Sequence, residues 1–412
     1  MFFRKIKVRL ISQGLKLLVW GHVMTAIPKK LLFAISDTGG GHRSAATAIS
    51  GAVKLRSDAT CTITDFLRAT KFPGLSKAPE IYDFCSKRHV WLSNLLFKKT
   101  NSISRINTLT KMVYLQSCQH IEHELANTQP DAVIAVHPLV TGLMHIARER
   151  MEAKWPIITV VTDLVTLHAS WAIPGADLYL APTAEAANSL IRYGVPINRI
   201  VHTGFPIHPK FLQSKLTKKQ ARKELGIETD RFTVLLTGGG VGAGSMGEWV
   251  SALQSQCADK QILVITGNNK DLYNELIDRK PGGHLHVYRF VDNMEVMMTA
   301  SDIIVTKAGP GTIMEGVAMN RPLIVTEAVG IQETGNIDYV RQNHLGYYCP
   351  VPGLACKTIN EVAAKVPEDN IFNSHEDIIT NGSVRIAETI LQQISLENQR
   401  NWNYGNVLWG AS

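Results

Sequence analysis

Short apolar runs, each ending in a turn, recur along the chain. Those at 31–36, 131–136 (DAVIAV), 157–162 (IITVVT) and 179–183 (YLAPT) are apolar throughout rather than alternating. That is the pattern of parallel strands buried on both faces. The stretches between them have helical spacing, so this half reads as an α/β unit of the doubly wound type. Around 204–230 the pattern gives way to a turn and a charged helix, GFPIHPKFLQSKLTKKQARKELGIETD. It then restarts with FTVLLTGGG (232–240), ILVITGNN (262–269), HLHVYRF (284–290), DIIVTKAG (302–309) and PLIVTE (322–327). After Pro350 the sequence reads as less regular, and GSVRIAETILQQI (382–394) has the periodicity of a closing helix.

Four segments follow. Residues 1–30 form a basic arm, 31–208 a first Rossmann-like lobe, 209–381 a second, and 382–412 a closing helix and tail. A length of 412 residues is ample for two cores. Each lobe opens with a strand and a triple-glycine turn, so a two-lobed molecule with a cleft between the lobes is the economical expectation.

Composition narrows the setting. The chain is 45% hydrophobic and 19% charged, and no run approaches the ~20 apolar residues of a membrane span. Six cysteines (Cys61, Cys85, Cys118, Cys257, Cys349, Cys356) are scattered without a CxxC or His-paired spacing, which predicts a reduced setting with neither disulfides nor zinc. The net charge of +8 is concentrated in two places. Arg4, Lys5, Lys7, Arg9, Lys16, Lys29 and Lys30 all precede the first acidic residue, Asp37. Lys87, Arg88, Lys98, Lys99, Arg105 and Lys111 lie between Asp83 and Glu122 without an acid. Both patches carry large apolar residues: Phe2, Phe3, Leu17, Leu18 and Trp20 in one, Trp91, Leu95, Leu96, Phe97 and Tyr114 in the other. Basic residues interleaved with Trp, Phe and Leu suit an anionic lipid interface. No nucleic-acid-binding motif accompanies them, so nucleic acid is not expected as a partner. The amino terminus partly imitates a secretory signal, but Lys16 interrupts its apolar run and no clear cleavage site follows.

The candidate chemistry lies at the glycine turns. In AISDTGGGHRSAATAI (34–49) a strand runs into glycines and then a small-residue helix. Such a junction leaves helix N–H groups unpaired and suits an anion, although a plain tight turn uses glycines equally well. In LLTGGGVGAGSMGEW, Gly242-x-Gly244-x-x-Gly247 satisfies the dinucleotide fingerprint. The next strand, however, ends in Gly267 and Asn268 rather than the acid that would hold an NAD ribose. No GxxxxGK[ST] is present, which excludes a P-loop. The decisive stretch is SDIIVTKAGPGTIMEGVAMNRPLIVTEAVGIQETGN (301–336). Lys307, Ala308, Gly309, Pro310, Gly311 and Thr312 lead from a strand into a short helix, at whose start Gly311 and Thr312 would present N–H groups to a diphosphate. Glu315, one turn on, suits ribose hydroxyls, and Gln332 and Glu333, on the loop after the next strand, suit sugar hydroxyls.

Together these motifs resemble those of the glycosyltransferases that make monogalactosyldiacylglycerol and of bacterial processive diacylglycerol glucosyltransferases. More distantly the chain resembles the cell-wall enzyme that adds N-acetylglucosamine to lipid-linked muramyl peptide. The resemblance covers roughly 31–345 and rests on SDTGGGHRSAA, VHPL (136–139), TDLVTLHASW (162–171), the GGG loop, GNN, RFVDNMEVMM and KAGPGT…E…QETGN. It implies a GT-B fold, a UDP-hexose bound by the second lobe and diacylglycerol presented to the first.

Carried over residue by residue, the resemblance assigns His42 as general base in the cleft, with Asp163 as the second candidate or as an orienter of His42. It sets Phe290 and Val291 against the uracil and Glu315 on the ribose. Gln332, Glu333 and Asn336 meet hexose or phosphate, with Gly239, Gly240, Asn268, Lys307, Gly309, Pro310, Gly311, Thr312 and Gly335 completing the donor site. On the acceptor side it groups Gly41, His137, Trp171, Trp91, Lys98 and Lys99, with Trp171 and the 87–111 patch facing lipid. The basic patches themselves lead to the expectation of anionic lipid partners such as phosphatidylglycerol. The implied reaction is a single inverting displacement with UDP leaving. Helix N-termini at 239–247 and 309–312 stabilise the leaving group, and no metal or other cofactor is expected, since no Asp-x-Asp occurs.

Departures from the family pattern include His208 where relatives often have arginine, Val241 and Ala243 where they often have Glu and Met, and WAIPGAD after the tryptophan. No long plant-like transit segment is evident, so the reading is a peripheral protein on the cytoplasmic face of a membrane. Two alternatives stay open: a cell-wall-type transferase or UDP-sugar epimerase of the same fold, and a non-catalytic membrane-bound nucleotide sensor. The first should lack the long basic–aromatic 87–114 segment. The second should tolerate loss of His42.

Overall fold

The computed structural model describes residues 28–38, 40–68, 77, 90–240, 242, 246–279, 283–365 and 378–409. Most of the basic arm, Lys87, Arg88, Cys85, Val241 and Ala243 lie outside the described residues.

Two six-stranded sheets organise the chain. The first has the order β2-β1-β3-β4-β5-β6 and comprises β1 (Lys30–Ile35), β2 (Thr60–Asp65), β3 (Ala132–Ala135), β4 (Ile157–Val160), β5 (Leu178–Ala181) and β6 (Ile200–His202). The second runs β12-β11-β10-β7-β8-β9 and comprises β7 (Thr233–Thr237), β8 (Gln261–Ile265), β9 (Leu285–Tyr288), β10 (Ile303–Thr306), β11 (Leu323–Val325) and β12 (Gly346–Tyr348). Every strand pair is parallel. With helices covering both faces, the central strands are apolar on both sides; β3, β4, β7, β8 and β10 are buried throughout.

The apolar runs read from sequence fall on strands, but three strands carry too little signal to be seen. Thr60–Asp65 (TCTITD) is half-exposed at a sheet edge, and Ile200–His202 and Gly346–Tyr348 have three residues each. The region after Pro350 is more regular than its sequence suggests, because Pro352–Lys365 is a helix packed on the second sheet through Ala355, Cys356 and Ile359.

Strand order reverses between β1 and β3 in the first sheet and between β7 and β10 in the second. Loops leaving these strands diverge to opposite faces and open a crevice at their carboxyl ends, where ligands bind in such folds. The closing helix, Gly382–Trp409, leaves the second lobe and returns to the first. There Ile386, Ala387, Ile390 and Ile394 lie, at helical spacing, in one apolar cluster with Ala45, Ile49, Ala52 and Val53 of helix Gly41–Lys54.

Candidate active site

The first half of the site is built where β1, β3 and β4 end. Gly40 caps helix Gly41–Lys54 in the left-handed region (φ 76°), which a side chain would strain. Arg43 grips Asp37 with both nitrogens, at 2.5 and 2.8 Å, and holds its carboxyl below the usual range. The turn is thereby stapled, and His42, the second residue of the helix, is aimed across the switch point. Its Nδ1 lies 3.2 Å from the Thr162 hydroxyl at the end of β4, and its ring meets that of His137 edge-on at 4.8 Å.

Enclosure by neighbouring atoms lowers His42 to about 4, against the pull of the Val136 carbonyl and Asp37. The imidazole is therefore neutral near pH 7 and able to accept a proton. His137 is the N-cap of helix Pro138–Arg150, its Nδ1 accepting from the Leu139 N–H at 3.3 Å. Burial, then the neighbouring His42, keeps its pKa well below the ordinary value. Asp163 follows Thr162. Burial raises it to about 6, with the hydrogen bond from Trp171 opposing and the charge of Glu333 adding. Because Glu333 belongs to the second lobe, that effect brings the two halves of the site within electrostatic reach.

One sequence expectation is overturned here. Trp171 does not face lipid: it is fully buried, and its Nε1 donates to Asp163 Oδ2 at 2.6 Å. An indole has one polar atom, and an otherwise apolar pocket leaves it this carboxylate as partner. Trp171 thus positions Asp163. Gly41 is exposed beside His42, and Trp91, Lys98 and Lys99 are exposed on helix Val90–Thr100.

The second half lies at the carboxyl ends of β7 to β11. Gly239 (φ 73°) and Gly240 follow β7, and their carbonyls come so close to Gly267 that a Cβ there would sit 2.5 Å from the Gly240 oxygen. Asn268 donates its N–H to that oxygen at 3.0 Å and is exposed. Across the switch point, Gly309 caps helix Pro310–Ala318 with proline as its first residue. The N–H groups of Gly311 and Thr312 in the first turn stay free of helical partners and suit an anion. Lys307 runs between the two glycine loops, since Cβ atoms built at Gly239 and Gly309 would lie 3.6 and 3.2 Å from its side chain. Phe290 (63% exposed) and the partly covered Val291 follow β9. Burial raises Glu315 to about 7, with Lys210 opposing and Glu295 adding.

The QETGN stretch differs from its sequence reading. Gln332 and Glu333 stand on the first turn of helix Ile331–Gln342, not on a loop. Glu333 is 3% exposed, pairs with Lys307 through Oε1 and accepts from the Val329 N–H at 2.8 Å through Oε2. As placed, it holds Lys307 rather than meeting a sugar. Gln332 folds back to the Val329 carbonyl at 3.5 Å. Gly335 is a packing residue: a Cβ there would lie 2.7 Å from Val165 and Thr166 of the first lobe. Asn336 is buried and ties its helix to the loop after β10 by donating to the Ala308 carbonyl at 2.8 Å, while its Oδ1 has no protein partner among the described residues.

Two residues absent from the sequence reading complete the site. Thr162 had its signal in standing before Asp163 at a strand end. Lys210, 2.7 Å from Glu295, gave none.

Residues 42–207 match the model of monogalactosyldiacylglycerol (MGDG) synthase, and 233–328 that of the glycosyltransferase family 28 C-terminal domain. Monogalactosyldiacylglycerol synthase 2, chloroplastic, of Arabidopsis thaliana is 32% identical over 346 residues, covering 81% of this chain and 73% of the relative. The chain belongs to the monogalactosyldiacylglycerol synthase family. The spinach (Spinacia oleracea) synthase, also chloroplastic, is 34% identical over 81% of this chain, which spans 66% of that relative's length. Among solved structures, the S. aureus MnaA–UDP co-structure superposes with a TM-score of 0.58 at 14% identity, over 90% of this chain and 97% of the other. The glycotransferase of kitacinnamycin gives 0.58 at 13%, over 90% and 100%. At such identities the likeness concerns fold alone, and this member of the synthase family has the two Rossmann-like lobes of GT-B.

The raised Asp163 predicts a specific pH response. A carboxylate needed in its ionised form gives activity that is present above its pKa and lost as pH falls through it. We expect kcat/KM to fall below about pH 6 in the wild type. In Asp163→Asn the limb should move toward 4, where His42 titrates, with a lower plateau. A wild-type limb already near 4 would remove any role for ionised Asp163.

Proposed function

We propose that this protein is an inverting glycosyltransferase that moves a hexose from a UDP-sugar to the free hydroxyl of diacylglycerol at a membrane surface. The relatives' names favour galactose. The observation that carries this reading is the confrontation of the two crevices. Neutral His42, with Thr162 and Asp163, lies on one side, and the anion-binding turns at Gly239 and Gly311 on the other.

In the reaction the acceptor oxygen attacks the anomeric carbon while the bond from that carbon to the UDP oxygen breaks. The electron pair leaves with UDP, and the hydroxyl proton passes to His42. The resulting imidazolium is stabilised by Asp37 and the Val136 carbonyl, which already favour the charged ring. Charge building on the diphosphate meets the N–H groups of Gly311 and Thr312 and the ammonium of Lys307, all held before reaction begins. Glu315 accepts from the ribose, and Phe290 offers its face to the base. No metal is invoked in these steps.

Membrane association is part of the proposal. Trp91, Leu95, Leu96, Met112 and Leu115 are exposed, the last by 69%, among Lys98, Lys99, Arg105 and Lys111. No helix among the described residues is long and apolar enough to cross a membrane. Apolar side chains ringed by lysines suit shallow insertion between anionic headgroups.

The test is a product assay with diacylglycerol in phosphatidylglycerol-containing liposomes, EDTA, and either UDP-galactose or UDP-glucose. A glycosylated lipid from UDP-galactose is expected. Product from UDP-glucose alone would correct the sugar, and product abolished by EDTA would correct the metal-free scheme. No product from either donor, despite measurable UDP binding, would overturn the acceptor.

A further inference from the structure

Helix Val90–Thr100 touches both halves of the cleft. Its carboxyl end is fixed to the first lobe: Thr100 Oγ1 lies 3.1 Å from His168 Nε2, and Asn101 Oδ1 accepts from the Ala169 N–H at 2.7 Å. Phe97 adds an edge-on ring contact with His168 at 4.8 Å. The loop so gripped is the one that carries Trp171, and hence Asp163. One turn earlier, Asn94 Oδ1 accepts from the backbone N–H of Ile331 at 2.9 Å.

Ile331 is the first residue of the second-lobe helix that carries Glu333, the partner of Lys307. That helix begins on Gly330 (φ 102°), which has no side chain to cap it. An N-terminus without a capping side chain leaves donors unsatisfied. Here the missing acceptor comes from the opposite lobe. We infer that Asn94 is a positioning residue that caps helix Ile331–Gln342 across the cleft and so favours the lobe arrangement in which Lys307 and the Gly311 turn are set for a nucleoside diphosphate.

A cap made only when the lobes are in register stabilises that arrangement, and a ligand that needs the arrangement binds more tightly in proportion to its occupancy. A side-chain cap is worth about 0.5–2 kcal/mol, which corresponds to a loss on the order of tenfold in UDP affinity when it is removed. Aspartate at the same place would still accept from the N–H and would suit the positive end of the helix.

The inference rests on the proposed UDP-sugar site but not on the acceptor. Its test is calorimetric titration of the full chain with UDP, in wild type, Asn94→Ala and Asn94→Asp, together with melting curves and steady-state kinetics. Asn94→Ala should weaken UDP about tenfold and raise the KM for UDP-sugar with a smaller change in kcat. Asn94→Asp should restore both, and all three proteins should melt cooperatively, with Asn94→Ala lower by no more than a few degrees. Equal UDP affinity in Asn94→Ala and wild type overturns the inference. So does a loss that Asn94→Asp fails to recover, which would make the contact mere packing. A UDP effect that behaves as expected in a protein yielding no glycolipid upholds the cap and removes the diacylglycerol reading.

Discussion

Replacing His42 by alanine should lower kcat by about 10²- to 10⁴-fold, the range expected for loss of general-base catalysis, and leave UDP affinity essentially unchanged. The two effects should separate because His42 opens the helix after β1, whereas the turns proposed to hold the nucleotide follow β7 and β10. The ring makes no contribution to the capping of its own helix, whose N-cap is Gly40. The melting temperature should therefore hardly move. His42→Gln is the sharper variant, since an amide keeps a hydrogen-bonding partner for Thr162 but cannot take a proton. Were His42→Gln to retain wild-type turnover, proton acceptance would pass to Asp163. Were both His42→Ala and Asp163→Asn to turn over normally, neither side chain would be the base and the proton would pass to another group or to solvent.

The second large effect concerns stability. Arg222 is buried and donates to Asp302 Oδ2 at 2.6 Å, and to the carbonyls of Ala300 and Thr229, each at 2.8 Å. Asp302 also takes Lys218 at 2.5 Å and the Thr233 N–H at 2.7 Å. The network ties helix Lys218–Glu224 to the starts of β7 and β10, at the edge of the second lobe away from its ligand-binding turns. Arg222→Ala strands two carbonyls and leaves Asp302 with one cation, and breaking such a buried pair costs about 3–5 kcal/mol. In a lobe of this size that is a fall on the order of 10 °C in the melting of the second lobe. Arg222→Lys keeps the charge but cannot reach both carbonyls and the carboxylate, so its loss should be intermediate. A melting curve unchanged in Arg222→Ala would show the network to be ornamental.

Much of the architecture is legible in sequence because parallel strands buried on both faces must be apolar end to end, as in DAVIAV and IITVVT. Glycine turns with positive φ, such as Gly40 and Gly239, announce the crevices just as plainly. What escaped lies where partners are distant in sequence. Thr162 meets His42 across 120 positions, and Asn94 meets Ile331 across 237. No local pattern marks either. Trp171 misled for a different reason: the family resemblance set it against lipid, but its N–H is spent on Asp163 in the interior. Glu333 misled because a polar residue beside a glycine turn suits a ligand and a lysine equally well, and only the fold tells which it faces.

The closing helix has a consequence for how the molecule comes into being. His42's helix buries Ala45, Ile49, Ala52 and Val53, and part of what covers them is Ile386, Ala387, Ile390 and Ile394. A nascent chain emerges in order, so the first lobe leaves the ribosome with an apolar face bare and must wait through the whole of the second lobe for its last cover. The His42 side of the cleft is thus among the earliest segments made and among the last to be finished, and a polypeptide released early would carry His42 on a helix seated on its sheet but with its outer apolar face uncovered.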